Sequence, residues 1–244
     1  METDIYARNR RIWHNTKEKM NDYKFEKARK INLKPEELIV DTDTNVKYFN
    51  HDMFSVIFTS YDAGLRPLVV MVSNNFPIDS EFNLENYEYD LYRISNLYLT
   101  GIENLYPLAL DEAIYVPCIT VFKNPEGELL KDAFEISVLF VNCLKRPETH
   151  TIDGKIIYRN EEDKEKTQKT IKAIFSLAVN YNYDGIIIDI FGRQCDHPLH
   201  SIVNIFKTEI PRSNLRYVFF YTKRADFEKD DSGYQFLDLM TSVC

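Results

Sequence analysis

Gly185-Ile186-Ile187-Ile188-Asp189-Ile190-Phe191 is an apolar run interrupted by a single acid. It has the length of a strand and is dominated by β-branched residues. A run without polar alternation fits a strand buried on both faces, as in a parallel sheet covered by helices. The flanking segments agree. Upstream, residues 161–181 place Thr167, Ile171, Ile174, Phe175, Leu177 and Ala178 on one helical face. Their acidic start suits the helix dipole. Residues 182–185 break the chain. Downstream, Pro198 opens a second helix running to Ile210, with Asp196 or His197 expected as its cap. Residues 215–221 read as a last strand. With residues 136–144 as a buried strand before the first helix, strands and helices alternate, which implies α/β layers around a largely parallel sheet.

Farther upstream, residues 68–72 read as another buried strand. Residues 113–122 read as a strand in which Pro117 marks an edge or a bulge. Residues 38–41 and 55–60 read as short strands, and residues 124–127 as a turn. Leu84, Tyr87, Leu91, Ile94 and Leu97 or Tyr98 recur at helical spacing over residues 84–99. Residues 4–33 read as one or two outer helices, with Trp13 and His14 on a packed helix face. Residues 145–160 read as a polar loop of variable order, and 233–243 as a short helix. No repeat, low-complexity tract or long linker divides the chain. The expected organisation is a helical extension, 1–34, packing on a single α/β domain, 35–244.

The chain has 244 residues, 44% of them hydrophobic, enough for a large core. Its 30 Lys and Arg against 38 Asp and Glu give a net charge of −8. That sign disfavours a phosphate-backbone binder, so no nucleic-acid groove is expected. No stretch approaches the ~18 apolar residues of a membrane span, so no membrane association is expected. The charged N-terminus does not read as a signal peptide, and Arg8 to Arg11 read as a solvated helix face. Cys118, Cys143, Cys195 and Cys244 are widely spaced without a CxxC pair. A reduced, intracellular chain is expected, with Cys118 and Cys143 as small buried hydrophobes. Abundant aromatics and Asn with only 7 glycines would suit an AT-rich genome, such as that of a large DNA virus or a parasite.

In open α/β sheets, ligands bind at the carboxyl ends of strands beside helix N-termini. Two loops qualify here: residues 73–80 after the strand at 68–72, and residues 192–197 after the strand at 185–191. Around the first loop the strand ends in Ser73-Asn74, Pro77 follows, and a helix reads Leu91-Tyr92-Arg93-Ile94-Ser95-Asn96-Leu97-Tyr98. Arg11 and Thr16 precede these, and Tyr106-Pro107-Leu108 and the run 115–127 follow. A strand, a glycine-containing loop and a helix containing Phe206 close the series. In this order the chain resembles the microbial-type poly(ADP-ribose) glycohydrolases, a branch of the macrodomain fold, from about residue 8 to about residue 220. The resemblance implies a macrodomain-like three-layer α/β/α sandwich with an N-terminal helical extension.

The resemblance also locates the family's chemistry, and there the letters differ. Ile78, Asp79 and Ser80 stand at the family's three glycines, whose backbone N–H groups wrap the ADP-ribose diphosphate. Ile78 brings a β-branched side chain into that space and Asp79 a charge of the wrong sign. Tyr87, Glu88 and Tyr89 stand at Gln-Glu-Glu. Tyr89 replaces the acid/base beside the scissile bond; a phenol, with a pKa near ~10, substitutes poorly. Asn74 matches a ribose-binding Asn. Glu88 matches a residue that helps hold the distal ribose. Gly192 matches a glycine of the second phosphate-facing loop, and Arg193 offers compensating positive charge. Asn74, Glu88, Tyr89, Gly192 and Arg193 are therefore the implied ligand-binding residues.

Other clusters carry plainer readings. Glu85 and Glu88 share a helix face as a rebuilt carboxylate pair, or as solvated acids at a helix start. Cys195, His197 and His200 are metal-ligand types at short spacing, but a closed zinc site takes four ligands and no second cluster is evident. No metal and no cofactor are expected. Asp189, an acid in an apolar strand, needs a partner or a crevice. Tyr87, Tyr89, Tyr92 and Tyr98 read as core or as an aromatic wall for a ligand or partner. The expected function is that of a degenerate, non-catalytic member binding an ADP-ribose-like ligand, an ADP-ribosylated protein or another protein partner. The alternative is an active hydrolase releasing ADP-ribose from ADP-ribosylated proteins, with Glu88 as its catalytic residue.

Overall fold

The computed structural model describes residues 2–39, 43–72, 87–221 and 232–241. Its centre is a seven-stranded sheet made of β1 (Arg29–Asn32), β2 (Asn45–Phe49), β3 (Pro67–Val72), β4 (Glu112–Lys123), β5 (Leu129–Val141), β8 (Gly185–Asp189) and β9 (Tyr217–Tyr221). The strand order is β1-β4-β5-β3-β8-β9-β2. The pairs from β5 through β2 are parallel; β4 runs antiparallel to both β1 and β5. The sheet is thus mixed, with an antiparallel flank on a parallel centre.

Side chains alternate across the sheet and sort into two cores. Leu68 and Val70 of β3, Leu139 and Val141 of β5, and Ile186 and Ile188 of β8 face one side. There they meet α4 (Glu161–Asn180), α5 (Leu199–Glu209) and α6 (Ser232–Thr241). Val69 and Met71, Val138 and Phe140, and Ile187 face the other. There they meet α1 (Glu2–Lys19), α2 (Met53–Asp62) and α3 (Tyr87–Ile94). This is the three-layer α/β/α sandwich that the resemblance implies, with the α/β alternation that the residue pattern implies. Pro117 sits in a bulge: Val116 pairs with Val138 but Ile119 with Ile136, one extra residue on β4. Because one residue flips every side chain to the other face, Ile114 and Val116 before the bulge and Ile119 and Val121 after it all reach the same core. Proline fits there because it has no N–H to give the ladder.

Several expectations need correction. Residues 55–60 are helical, not a strand, and lie within α2. The Asp52 carboxylate caps the helix by accepting from Ser55 N at 3.0 Å, and Met53, Val56, Ile57 and Ser60 form its buried face. A short apolar run fits a buried helix as well as a strand. Residues 38–39 carry no strand, and residues 40–42 lie outside the described ones. Residues 29–32, expected helical, add to the sheet as β1. The short, mostly exposed β2 gave no apolar signal. Residues 145–160 form a hairpin of β6 (Thr149–Ile152) and β7 (Lys155–Tyr158), turned at Asp153 and Gly154 with φ of 49° and 74°.

The N-terminal segment is held by buried polar contacts. Thr16 Oγ1 lies 2.5 Å from the Arg93 carbonyl oxygen and accepts from Lys123 Nζ at 2.9 Å. Burial pulls the Lys123 ammonium below its ordinary pKa. Asn96, fully buried just after α3, donates to the Tyr23 and Lys24 carbonyls at 3.1 and 2.9 Å and accepts from Thr120 N at 2.8 Å. One amide therefore joins the segment after α1 to β4. Its loss leaves backbone groups unsatisfied at about 1–3 kcal/mol each, partly relieved by relaxation. Asn96→Ala is expected to lower unfolding stability by about 2–4 kcal/mol, read as a lower urea midpoint at unchanged slope.

Candidate functional site

Strands β3, β5 and β8 run the same way, so the chain segments after Val72, Val141 and Asp189 emerge at one edge of the sheet. The second sequence-derived loop starts from that edge. The first, with Asn74, Pro77, Ile78, Asp79, Ser80 and Glu85, lies outside the described residues. Tyr87, Glu88 and Tyr89 open α3, which places Glu88 in the first turn of a helix.

The second loop is fully traced. Asp189, last in β8, accepts from Ile190 N at 2.7 Å and stands 3.4 Å from Arg193 Nη2. Both side chains are largely buried. The acid in the apolar strand thus has a partner, and Arg193 brings less free charge than its letter implies. Gly192 has φ of +76°, and a Cβ there would lie 2.5 Å from His197 Cγ. The loop therefore needs glycine for its own turn and for contact with His197.

His197 is 8% exposed and does not cap α5, whose N-cap is Pro198. Its Nε2 lies 2.8 Å from the Leu144 carbonyl oxygen, which only accepts, so Nε2 carries the proton. Nδ1, 2.6 Å from Tyr158 Oη, then accepts the phenol proton. Phe191 packs against the ring edge-on. Burial holds the imidazole below its ordinary pKa, opposed by its bond to Leu144 O and by Asp163 and Asp196. Cys195, expected in a loose cluster with His197 and His200, instead has its Sγ 2.6 Å from Cys143 Sγ. Among the described residues, no group of three or more His, Cys, Asp or Glu stands placed to hold a metal ion.

Sequence reasoning missed Leu144, Tyr158 and the Cys143–Cys195 contact. Only the hairpin carrying Tyr158 had a signal, the Asp153-Gly154 pair, a favoured two-residue turn between strands. Of the aromatic stretch, Tyr92 is buried and Tyr98 is half exposed, edge-on to Trp13. His14 is exposed and pairs with Glu18. Arg11 is exposed on α1, whereas Thr16 is fully buried.

The whole architecture has counterparts among solved structures. Poly(ADP-ribose) glycohydrolase from Thermomonospora curvata superposes with a TM-score of 0.73 at 13% identity, covering 95% of this chain and 98% of that one. The chain has the fold of these glycohydrolases. The Deinococcus radiodurans glycohydrolase in complex with ADP-ribose gives a TM-score of 0.63 at 12% identity, over 98% of this chain and 93% of that one. The Thermomonospora enzyme bound to the inhibitor ADP-HPD gives 0.63 at 13% identity, over 88% and 92%. No protein-family model matches the sequence, and no curated protein does.

Two outcomes follow from the loop that this fold presents. Gly192→Ala forces a β-carbon into a doubly hydrogen-bonded ring at positive φ, and is expected to cost about 2–4 kcal/mol in denaturant unfolding. His197 gives a pH signature. Unfolded, it takes up a proton near pH ~6.5; folded, only at lower pH. Below about 6.5 the unfolded state therefore binds more protons. This contribution is complete above pH ~6.5 and is lost as pH falls towards the folded pKa. Urea midpoints taken from about pH 7.5 down to about pH 5.5 should fall less steeply with acidification in His197→Gln than in the wild type.

Proposed function

We propose that the chain is a non-catalytic binder of an ADP-ribose-type ligand, free or attached to a protein. One combination carries this reading. The fold matches glycohydrolases solved with ADP-ribose and with ADP-HPD, while the resemblance sets Ile78, Asp79 and Ser80 at the phosphate-wrapping glycines and Tyr89 at the acid/base. A like-charge contact between Asp79 and a diphosphate at about 4 Å costs up to a few kcal/mol in a surface-like dielectric. That weakens an anion cradle without abolishing it if the carboxylate turns outward. Replacing the acid/base by a phenol removes about 10²–10⁴ in rate.

Glu88 does not readily restore the chemistry. It stands in the first turn of α3, one position before the one that the resemblance assigns to the acid/base. Asn74, Glu88, Tyr89, Gly192 and Arg193 remain the proposed contacts. Arg193 is the proposed electrostatic partner of the ligand, sharing its charge with Asp189. Residues 35–244 carry the proposed binding domain, and residues 1–34 form an extension whose strand β1 completes the sheet edge.

Titration calorimetry of the full chain with ADP-ribose tests the proposal. Micromolar binding is expected, weakened about tenfold in Arg193→Ala through loss of one charge-assisted contact. No ADP-ribose should be released from an ADP-ribosylated protein. Turnover that Glu88→Gln abolishes and Tyr89→Phe retains would overturn the non-catalytic reading in favour of a hydrolase. Absence of any binding heat at millimolar ligand would remove ADP-ribose as the ligand altogether.

A further inference from the structure

Cys143 follows β5 and Cys195 lies in the loop between β8 and α5, yet their sulfurs stand 2.6 Å apart, each residue only 4% exposed. The surrounding backbone is already joined. Arg146 N donates to the Cys195 carbonyl at 3.0 Å, and His197 Nε2 donates to the Leu144 carbonyl at 2.8 Å. The sulfurs need approach by only about 0.6 Å to reach the ~2.05 Å of a disulfide. A cleft of about 200 Å³ reaches Cys143, lined also by Leu33, Leu110, Thr167, Ala173 and Phe191. It gives a small oxidant a route to the Cys143 side of the pair, with Cys195 Sγ 2.6 Å from the Cys143 sulfur.

We infer that Cys143 and Cys195 are a peroxide-responsive dithiol whose oxidation fastens the β8–α5 loop to the end of β5. The two sulfurs are not equivalent. The hydrogen bond from the Cys143 thiol, helped by Lys145, holds the Cys195 thiol below its ordinary pKa against the effect of burial. That same contact and burial push the Cys143 thiol up. Cys195 accepts the Cys143 S–H in this contact, and on that geometry we assign it as the attacking thiolate. It takes a hydroxyl from hydrogen peroxide as the O–O bond breaks, giving a sulfenic acid and hydroxide, which the proton lost from Cys195 converts to water. The Cys143 sulfur then attacks the sulfenic sulfur. The S–S bond forms, and the expelled hydroxide leaves as water with the Cys143 proton. Each sulfur has lost one electron, and the peroxide has become two waters. Under reducing conditions the pair returns to the dithiol.

The proposal does not depend on the ligand of the neighbouring crevice. It is tested on the reduced full chain, treated with hydrogen peroxide, alkylated and digested without reductant. The expected product is a peptide containing Cys143 linked to one containing Cys195, absent before treatment and reversed by dithiothreitol. Oxidation should raise the melting temperature by roughly 5–10 °C, because the crosslink closes a long loop in the unfolded chain. It should also slow amide exchange over residues 192–197. The link should vanish in Cys143→Ser and in Cys195→Ser. Should those variants fail to fold, the wild-type peptide map alone decides. Two cysteines that stay alkylatable, two sulfinic acids, or a link from either one to Cys118 or Cys244 would overturn the assignment. A link that left exchange over residues 192–197 unchanged would overturn the fastening.

Discussion

Strands β5, β3 and β8 are covered on both faces, so their backbone groups have no water to turn to and must pair strand to strand. Leu68, Val69, Val138, Leu139, Ile186 and Ile187 are fully buried, and the ladders run parallel in unbroken register. Parallel pairing requires each connection to cross back over the sheet, which α4 accomplishes between β5 and β8. It also delivers the carboxyl ends of all these strands to one edge. The position of the candidate site follows from this requirement before any ligand chemistry is considered. The parallel ladders of β5, β3 and β8 set this edge without reference to what the loops beyond it contain.

On that edge the second loop is shaped from behind. Gly192 turns against the His197 ring, and His197 is fixed by Leu144 after β5 and by Tyr158 at the end of β7. Three segments distant in sequence thus agree on one backbone path. This separates two demands that a sequence motif merges. A glycine at position 192 is required by packing whether or not a phosphate ever approaches it. Arg193 is likewise engaged by Asp189, so its presence alone does not measure the charge offered to a ligand. The loop keeps its form through internal contacts that involve no ligand.

The parts of the fold legible in the sequence are those where one physical signal dominates. Residues 185–191, 136–144 and 68–72 gave strands because continuous apolar runs of that length suit a doubly covered sheet. Residues 161–181 gave α4 through helical spacing, and Pro117 gave the bulge through its missing N–H. The failures share a cause, since competing signals were equally strong or absent. Residues 55–60 are apolar enough for either element, and the deciding feature, the Asp52 cap, is a single side chain. β1 and β2 lie at the sheet's edges with mostly exposed side chains, so no periodicity marks them. At the site, Asn74 and residues 77–80 lie outside the described part of the chain, and the sequence alone speaks for them. The contacts of His197 and Cys195 were illegible because their partners, Tyr158 and Cys143, lie 39 and 52 residues away.

The residues that match the glycohydrolase pattern and those that depart from it do different physical work. Thr16 joins α1 to the Arg93 carbonyl and to Lys123, and Asn96 joins the segment after α1 to β4. These positions hold helices against the sheet and would be needed in an enzyme and in a binder alike. By the resemblance, the positions that depart are 78–80, 87 and 89, and the roles it implies there are to meet phosphate or protonate a leaving group. Residues of the first kind fail through unsatisfied buried groups, at about 1–3 kcal/mol each, a large share of a fold's marginal stability. A resemblance carried mainly by the first kind therefore reports architecture and says little about turnover. The non-catalytic reading rests on the second kind, because there the loss of permissive backbone and the loss of a proton donor fall on the same loop and the helix that follows it.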